Sequence, residues 1–248
     1  RCASAVIPCE LPLGTAAMPT SLTNRLIEAL PSRQGADLLA LLQPVPLPLR
    51  TPLFDAREAP QYVHFMTSGL ASIVAAFRDG DGVEIGIVGR SGFPEALHIL
   101  GPQTGDIRCF MQVEGTALRM DFKRFEELFH RNDVLRNLVL RYVQYESLVT
   151  AQIAACNRLH EVEARMARWL LMVSDRIGAS EMHLTQEFLA EMIGARRSTV
   201  TITAGTLQRS GIIEYRRGTI RIVDREQLED AACECYAVTQ RLLKNLYL

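Results

Sequence analysis

Several things that would identify a function outright are missing from this chain of 248 residues. It has no run of about eighteen apolar residues, so no helical membrane span is expected. The opening stretch RCASAVIPCELPLG carries one arginine and a short apolar segment broken by proline. That is too little for a secretory h-region, and cytoplasmic placement is the expectation. G-x-S-x-G, P-loop, H-E-x-x-H and G-x-G-x-x-G motifs do not occur, and the carboxylates are spread along helix patterns, so no catalytic residues are assigned and an enzyme is not expected. The cysteines Cys2, Cys9, Cys109, Cys156, Cys233 and Cys235 are scattered, as free thiols of a cytoplasmic protein would be. Cys233-Glu234-Cys235, read on a continuous helix from Arg225 to Tyr247, points its thiols to different sides. With no second cysteine pair and no adjacent histidine, no metal site is expected. The formal net charge is −1, so the chain as a whole is not a polycation.

What is present is a strongly patterned stretch, Leu184 to Ile222. Thr185 is a good N-cap for an amphipathic run from Glu187 to Ile193, and Gly194 breaks that run as a tight inter-helix turn requires. A second helix is expected from Arg196 to Arg209, apolar at Val200, Ala204 and Leu207. Gly211 stops it. Ile212 to Tyr215 and Thr219 to Ile222 then alternate around Arg216-Arg217-Gly218, which reads as a β-hairpin. Helix, turn, helix and hairpin make a winged helix-turn-helix. Between Ile193 and Ile222 six arginines face a single glutamate, so the cationic charge of a near-neutral chain is concentrated here. Arg196, Arg197, Ser198 and Thr201 stand where the entering helix meets base edges, and Arg216, Arg217 and Thr199 where phosphates would lie. The other reading of such a face is a ligand-binding signalling module whose winged helix docks a protein.

Upstream, residues 1–20 read as a flexible arm. Short helical patterns follow at Thr23–Leu30 and Ala36–Leu42, and the proline-rich Pro44 to Pro52 cannot be helix. Between Arg50 and Met120 short β-rich segments recur with turn residues between them, among them Asp79-Gly80-Asp81-Gly82. An antiparallel sandwich or roll of the kind that often holds a ligand is expected. A long helix from about Asp133 to His160 carries a seam at heptad spacing, including Leu138, Tyr142, Tyr145, Val149, Gln152 and Cys156, which favours homodimerisation. A two-fold dimer also suits a reader of two half-sites. The expected class is therefore α+β. An antiparallel, jelly-roll-like β-roll over 21–132 precedes the dimerisation helix over 133–160. The winged helix-turn-helix and a C-terminal helix fill 161–248.

This order of parts, together with Gly194-Ala195-Arg196-Arg197-Ser198-Thr199-Val200, resembles the Crp/Fnr superfamily of bacterial transcription regulators, over about residues 36 to 223. The family's recognition helix is usually entered as G-x-S-R-E-T-V. By that match Arg197 takes the place of its guanine-reading arginine and Ser198 that of its glutamate, which implies an altered operator. Ile202 replaces a frequent basic residue. The family's cyclic-nucleotide segment corresponds to Gly92-Phe93-Pro94-Glu95-Ala96-Leu97. Glu95 and Arg108 are the effector-pocket candidates, but Gly105-Asp106 stands where the family pairs arginine with a cyclic phosphate. Cyclic AMP or GMP is disfavoured on that ground. Cys2 and Cys9 do not make the family's iron–sulfur set, and a haem variant would need His64, His98 or Cys109 as an axial ligand; none is assigned, and the cofactor stays unknown. The implied partners are double-stranded DNA, a second copy of the chain, RNA polymerase and a small-molecule effector, with no membrane.

Overall fold

A computed structural model of the chain describes residues 23–77, 82–101 and 104–248. The expected arm with Cys2 and Cys9, and the Asp79–Asp81 turn, lie outside them. Two short helices, α1 (Arg25–Glu28) and α2 (Ser32–Leu39), lead into strands β1 (Gln43–Leu47), β2 (Pro52–Phe54), β3 (Tyr62–Met66), β4 (Leu70–Ala76) and β5 (Gly82–Val88). A 3-10 segment, Pro94–Leu100, precedes β6 (Ile107–Val113) and β7 (Gly115–Asp121). Helices α3 (Phe122–Arg131), α4 (Asp133–Leu159) and α5 (Val162–Ile177) follow. The C-terminal part contains β8 (Glu181–His183), α6 (Gln186–Ile193), α7 (Arg197–Arg209), β9 (Ile213–Arg216), β10 (Thr219–Ile222), α8 (Arg225–Ala231) and α9 (Cys235–Asn245). Among the described residues no helix is long and apolar enough to cross a membrane.

The roll is built from two antiparallel sheets, ordered β1-β7-β3 and β2-β6-β4-β5. Pro44 and Pro46 sit in β1, an edge strand, where a residue without a backbone donor does least harm to the ladder. Strand period two divides the side chains between two cores. From β3 and β7, Val63, Phe65, Leu118 and Met120 join the large core, while Met66 and Ala117 fill a smaller cluster with Leu53, Ile73 and Met111. Phe65, Phe93 and Phe125 meet with ring centroids 5.3–5.5 Å apart, and Tyr142 of α4 stacks on Phe93 at 5.4 Å. The long helix is thereby fastened to the roll through aromatic contact as well as buried area.

At 27 residues α4 is about 40 Å long. Its seam does not face outward. Leu138, Tyr142, Tyr145, Val149 and Cys156 are all buried within the chain, and Gln152 Nε2 donates to Cys235 Sγ of α9 at 3.1 Å. The expectation that these six form a dimer interface is corrected: the roll, α5 and α9 cover that stripe. The outward stripe is a different one with the same period, Leu140, Gln144, Ser147, Leu148, Ala151 and Ala155. The expected single helix from Arg225 to Tyr247 is also two helices. Ala232, in extended conformation (φ −78°, ψ 149°), ends α8 and lets the chain turn before α9.

Candidate nucleic-acid interface and ligand cavity

The sequence places its helix punctuation well. Thr185 Oγ1 accepts from the Phe188 amide at 3.1 Å and so caps α6. Gly194 ends α6 in the left-handed region (φ 60°), a conformation in which a Cβ would be strained. The chain then turns into α7, whose N-cap is Arg196 with no side-chain capping bond, so its first-turn amides stay open to an external anion. Val200, Thr203, Ala204 and Leu207 are buried beneath it. Arg196, Arg197, Ser198 and Thr201 are exposed on the opposite side, as is Ile202 at 69%, and Thr199 is half-buried. Thr201 Oγ1 donates to Gln186 Oε1 at 2.8 Å, which ties the exposed face of α7 to the start of α6.

The hairpin β9–β10 carries Arg216 and Arg217 exposed at its tip. Arg217 (φ 49°) and Gly218 (φ 78°) both have positive φ, as a two-residue turn between twisted strands demands. A third strand, β8, pairs with β10 through His183↔Thr219 and Met182↔Ile220, a pairing too short to be read by alternation. Arg221 is held by Glu214 at 2.7 Å, but no ion pair among the described residues holds Arg196, Arg197, Arg216 or Arg217. Four exposed cations of this unit thus stand outside any ion pair among the described residues.

The roll docks directly on this unit, and Arg196 and Arg217 border clefts shared with roll residues such as Val83 and Arg50. Ser72, Glu84 and Gln112 of the roll meet Trp169 and Met192. Arg108 of β6 pairs with Glu191 of α6 at 3.1 Å. Burial pushes the Glu84 carboxyl up to about 7, against the pull of bonds from Ser72 and Trp169 and of the Arg168 and Arg176 charges.

The effector-pocket candidates are not brought together. Glu95 is fully buried, with its Oε1 2.7 Å from His64 Nδ1 and its Oε2 accepting from the His64 amide at 3.1 Å. Both oxygens are committed inside the roll. Arg108 is drawn away to Glu191 in the other unit. The pairing of Glu95 with Arg108 around one ligand is therefore corrected, and the match of short motifs missed the histidine that claims the carboxylate. Of the other named ligand candidates, His98 packs edge-on against Phe54 and Cys109 is buried in the smaller core.

A separate cavity of about 370 Å³ lies between the roll and α4. Ile73, Ile85, Phe93 and Leu97 form its apolar wall, and Glu146, Ser147 and Thr150 its polar one. Among the described residues no arginine lines it. Its one carboxyl, Glu146, is pushed up to about 7 by burial, with Arg176 and a bond to Tyr142 acting in the opposite sense.

A second gathering was not expected from the sequence. Cys156 and His160, one turn apart at the end of α4, meet Cys233 and Cys235 from the α8–α9 junction. Cys233 precedes α9, so the two thiols of Cys233-Glu234-Cys235 are not splayed by a helix and converge. A histidine does stand beside them.

Comparison with known proteins agrees with this architecture. Residues 164–231 match the Crp-like helix-turn-helix domain. The chain is 27% identical over 202 residues to a CRP-like cAMP-activated global transcriptional regulator of Mycobacterium tuberculosis, covering 78% of this chain and 89% of that one. Among solved structures, one assigned to the Crp/Fnr family from Eubacterium rectale superposes with a TM-score of 0.67 at 15% identity, covering 83% of this chain and 96% of the other. The c-di-GMP-responsive global regulator CLP of Xanthomonas campestris gives 0.62 at 21% identity, with 79% and 97% covered. At such identities the structures speak for the fold alone, and the sequence matches add a Crp-like helix-turn-helix domain over residues 164–231 and a likeness to a CRP-like transcriptional regulator over most of the chain.

Proposed function

We propose that this chain is a transcription regulator of the Crp/Fnr superfamily that reads DNA sequence as a homodimer, with a roll that responds to a signal other than a cyclic nucleotide. The observation that carries the DNA reading is the exposed arginine set, Arg196 and Arg197 at the start of α7 with Arg216 and Arg217 on the wing, unpaired with carboxylates among the described residues. Exposed cations outside any ion pair favour a polyanion, and the release of counterions on binding makes the affinity fall with salt. Arg196, Arg197, Ser198 and Thr201 are the base-edge candidates, with Thr199, Arg216 and Arg217 for phosphates.

The outward stripe of α4 is the proposed dimer contact. A two-fold pair through Leu140, Gln144, Ser147, Leu148, Ala151 and Ala155 would set two α7 helices side by side. In this reading the roll over 21–132 senses, the helix over 133–160 pairs, and 161–248 binds DNA. The cavity beside α4 supports a non-nucleotide signal, because among the described residues its lining offers a phosphate no cation, and its one ionisable group is the acid Glu146. A ligand bound there would touch both roll and pairing helix, and would act by favouring one arrangement of the dimer.

The test is a binding selection on genomic fragments with the purified full chain, at two salt concentrations and without added effector. Recovery of a palindromic site whose affinity falls steeply with salt is expected. Retention that is blind to sequence, or indifferent to salt, would place the winged helix against a protein partner instead.

A further inference from the structure

Cys156, His160, Cys233 and Cys235 each offer one ligand atom, and all four atoms lie within 4.8 Å of one another. Cys156 Sγ is 3.5 Å from Cys233 Sγ, and Cys235 Sγ is 3.6 Å from His160 Nδ1. Tetrahedral zinc, with Zn–S of about 2.3 Å and Zn–N of about 2.0–2.1 Å, spaces its ligands roughly 3.5–3.8 Å apart. These two separations fall near that spacing, and the remaining ones are no longer than 4.8 Å. Three of the four residues are buried, and His160 is partly so.

The surroundings point the same way. His160 Nε2 is 3.0 Å from Glu234 Oε2, leaving Nδ1 directed at the thiols. A carboxylate on the outer nitrogen is the usual partner of a metal-bound imidazole, fixing its ring and its tautomer. Gln152 Nε2 donates to Cys235 Sγ at 3.1 Å, a bond suited to a sulfur carrying negative charge. Arg165 and Arg168 are buried close to Cys156 and Cys233, and their charges act on those sulfurs. Neither guanidinium has a carboxylate in an ion pair among the described residues, both Nε atoms lack a hydrogen-bond partner, and Arg168 Nη1 reaches only Met172 Sδ at 3.1 Å. Buried guanidiniums with no carboxylate in direct contact are costly. Three thiolates around a divalent ion leave one net negative charge beside them.

We propose that Cys156, His160, Cys233 and Cys235 form a closed Cys₃His zinc site. Soft thiolate ligands select zinc over magnesium or calcium, and four protein ligands leave no open position, so the role is structural. On binding, the three thiols give up their protons to solvent. The ion staples the α8–α9 junction to the last turn of α4, beside the Leu159–Val162 joint where the chain passes from the pairing helix to the DNA-binding unit. Occupancy would therefore fix the angle of that joint.

The experiment uses the full chain, produced with a removable tag and purified anaerobically from zinc-supplemented cells. Elemental analysis should find about one zinc per chain. A thiol-specific mercurial should release it, and cobalt(II) substitution should give the intense ligand-field bands of a tetrahedral thiolate site. Cys235→Ser and His160→Ala, which leave the Cys156–Cys233 pair intact, should each cut retained zinc several-fold while far-ultraviolet circular dichroism stays native-like. A folded wild-type chain holding less than about a tenth of an ion after zinc dialysis would overturn the site. So would zinc retained equally by both variants, or a Cys156–Cys233 disulfide in the anaerobic protein.

Discussion

Trp169 Nε1 donates a 2.6 Å hydrogen bond to Glu84 Oε1, and that bond crosses from α5 of the DNA-binding unit into β5 of the roll. The other carboxylate oxygen meets Ser72 Oγ at 2.7 Å, and Ser72 Oγ also stands 2.6 Å from Gln112 Oε1. One hydroxyl proton cannot serve two acceptors. The chain of bonds closes if Glu84 is protonated, donating to Ser72, which donates onward to Gln112. The ionised form needs the Gln112 amide turned over, which moves its unpartnered Nε2 but leaves the vacated position equally unpartnered. What holds the proton is the cost of burying the charge; the bonds from Ser72 and Trp169 themselves favour the ionised form.

Stability should follow. Glu84 titrates at about 7 in the folded chain against an ordinary 4.5, so between these values the native state holds a proton that the unfolded chain has lost. Stability then falls as pH rises from about 4.5 to 7 and levels off above it, by an amount on the order of 3 kcal/mol for this group. Glu84→Gln keeps the bonds, since its oxygen accepts from Trp169 and its amide donates to Ser72. Thermal unfolding at pH 5, 6, 7 and 8 should show the variant more stable than wild type at pH 8 and the pH slope reduced. An unchanged slope would remove Glu84 as its source.

Arg197→Ala should weaken operator binding by roughly 1–3 kcal/mol and relax base preference at one position per half-site. Arg217→Ala, at a phosphate position, should weaken all sequences alike and reduce the salt slope by about one. Titrations by fluorescence anisotropy on the selected site and on single-base variants separate the two. If Arg197→Ala behaves like Arg217→Ala, it does not read a base.

How much of this was legible depends on whether the signal is local. The winged helix was readable because each boundary is punctuated in the chain: a threonine cap at Thr185, glycines at Gly194 and Gly211, and a turn at Arg217-Gly218. The outward face of α4 was not, because Leu138 and Leu148 look alike in a helical pattern and only tertiary packing decides which stripe is covered. The break at Ala232 carries neither proline nor glycine. Cys156 and Cys233 are 77 residues apart, beyond any spacing rule, although Cys156 and His160 at i, i+4 were a usable hint. Glu95 failed for the same reason as α4: its partner, His64, lies 31 residues away on β3.

Leu148 is 48% exposed on the outward stripe of α4, so a charge there should not disturb the monomer core. Leu148→Asp should convert a dimer to monomer in sedimentation velocity at micromolar concentration and abolish binding to a palindromic site, while leaving binding to a half-site detectable. A dimer of unchanged strength would move the interface off this stripe.

Gly92 measures how closely the roll and α4 approach. A Cβ built there would stand 2.0 Å from Tyr142 Cζ and 2.3 Å from its hydroxyl oxygen. Neither side has room to yield. The Gly92 carbonyl accepts from Asn24 Nδ2 at 2.8 Å and from the Met66 amide at 3.2 Å, and the Tyr142 ring is buried against Phe93. Gly92→Ala should therefore destabilise by about 1–3 kcal/mol or more, as an overpacked core does. The clash is with one side chain, so the cost should be conditional. In a Tyr142→Ala background, itself destabilised by the lost ring, adding Gly92→Ala should cost little, and chemical denaturation of the four variants gives that coupling directly. If the two losses simply add, the glycine is required by its backbone and not by the tyrosine above it.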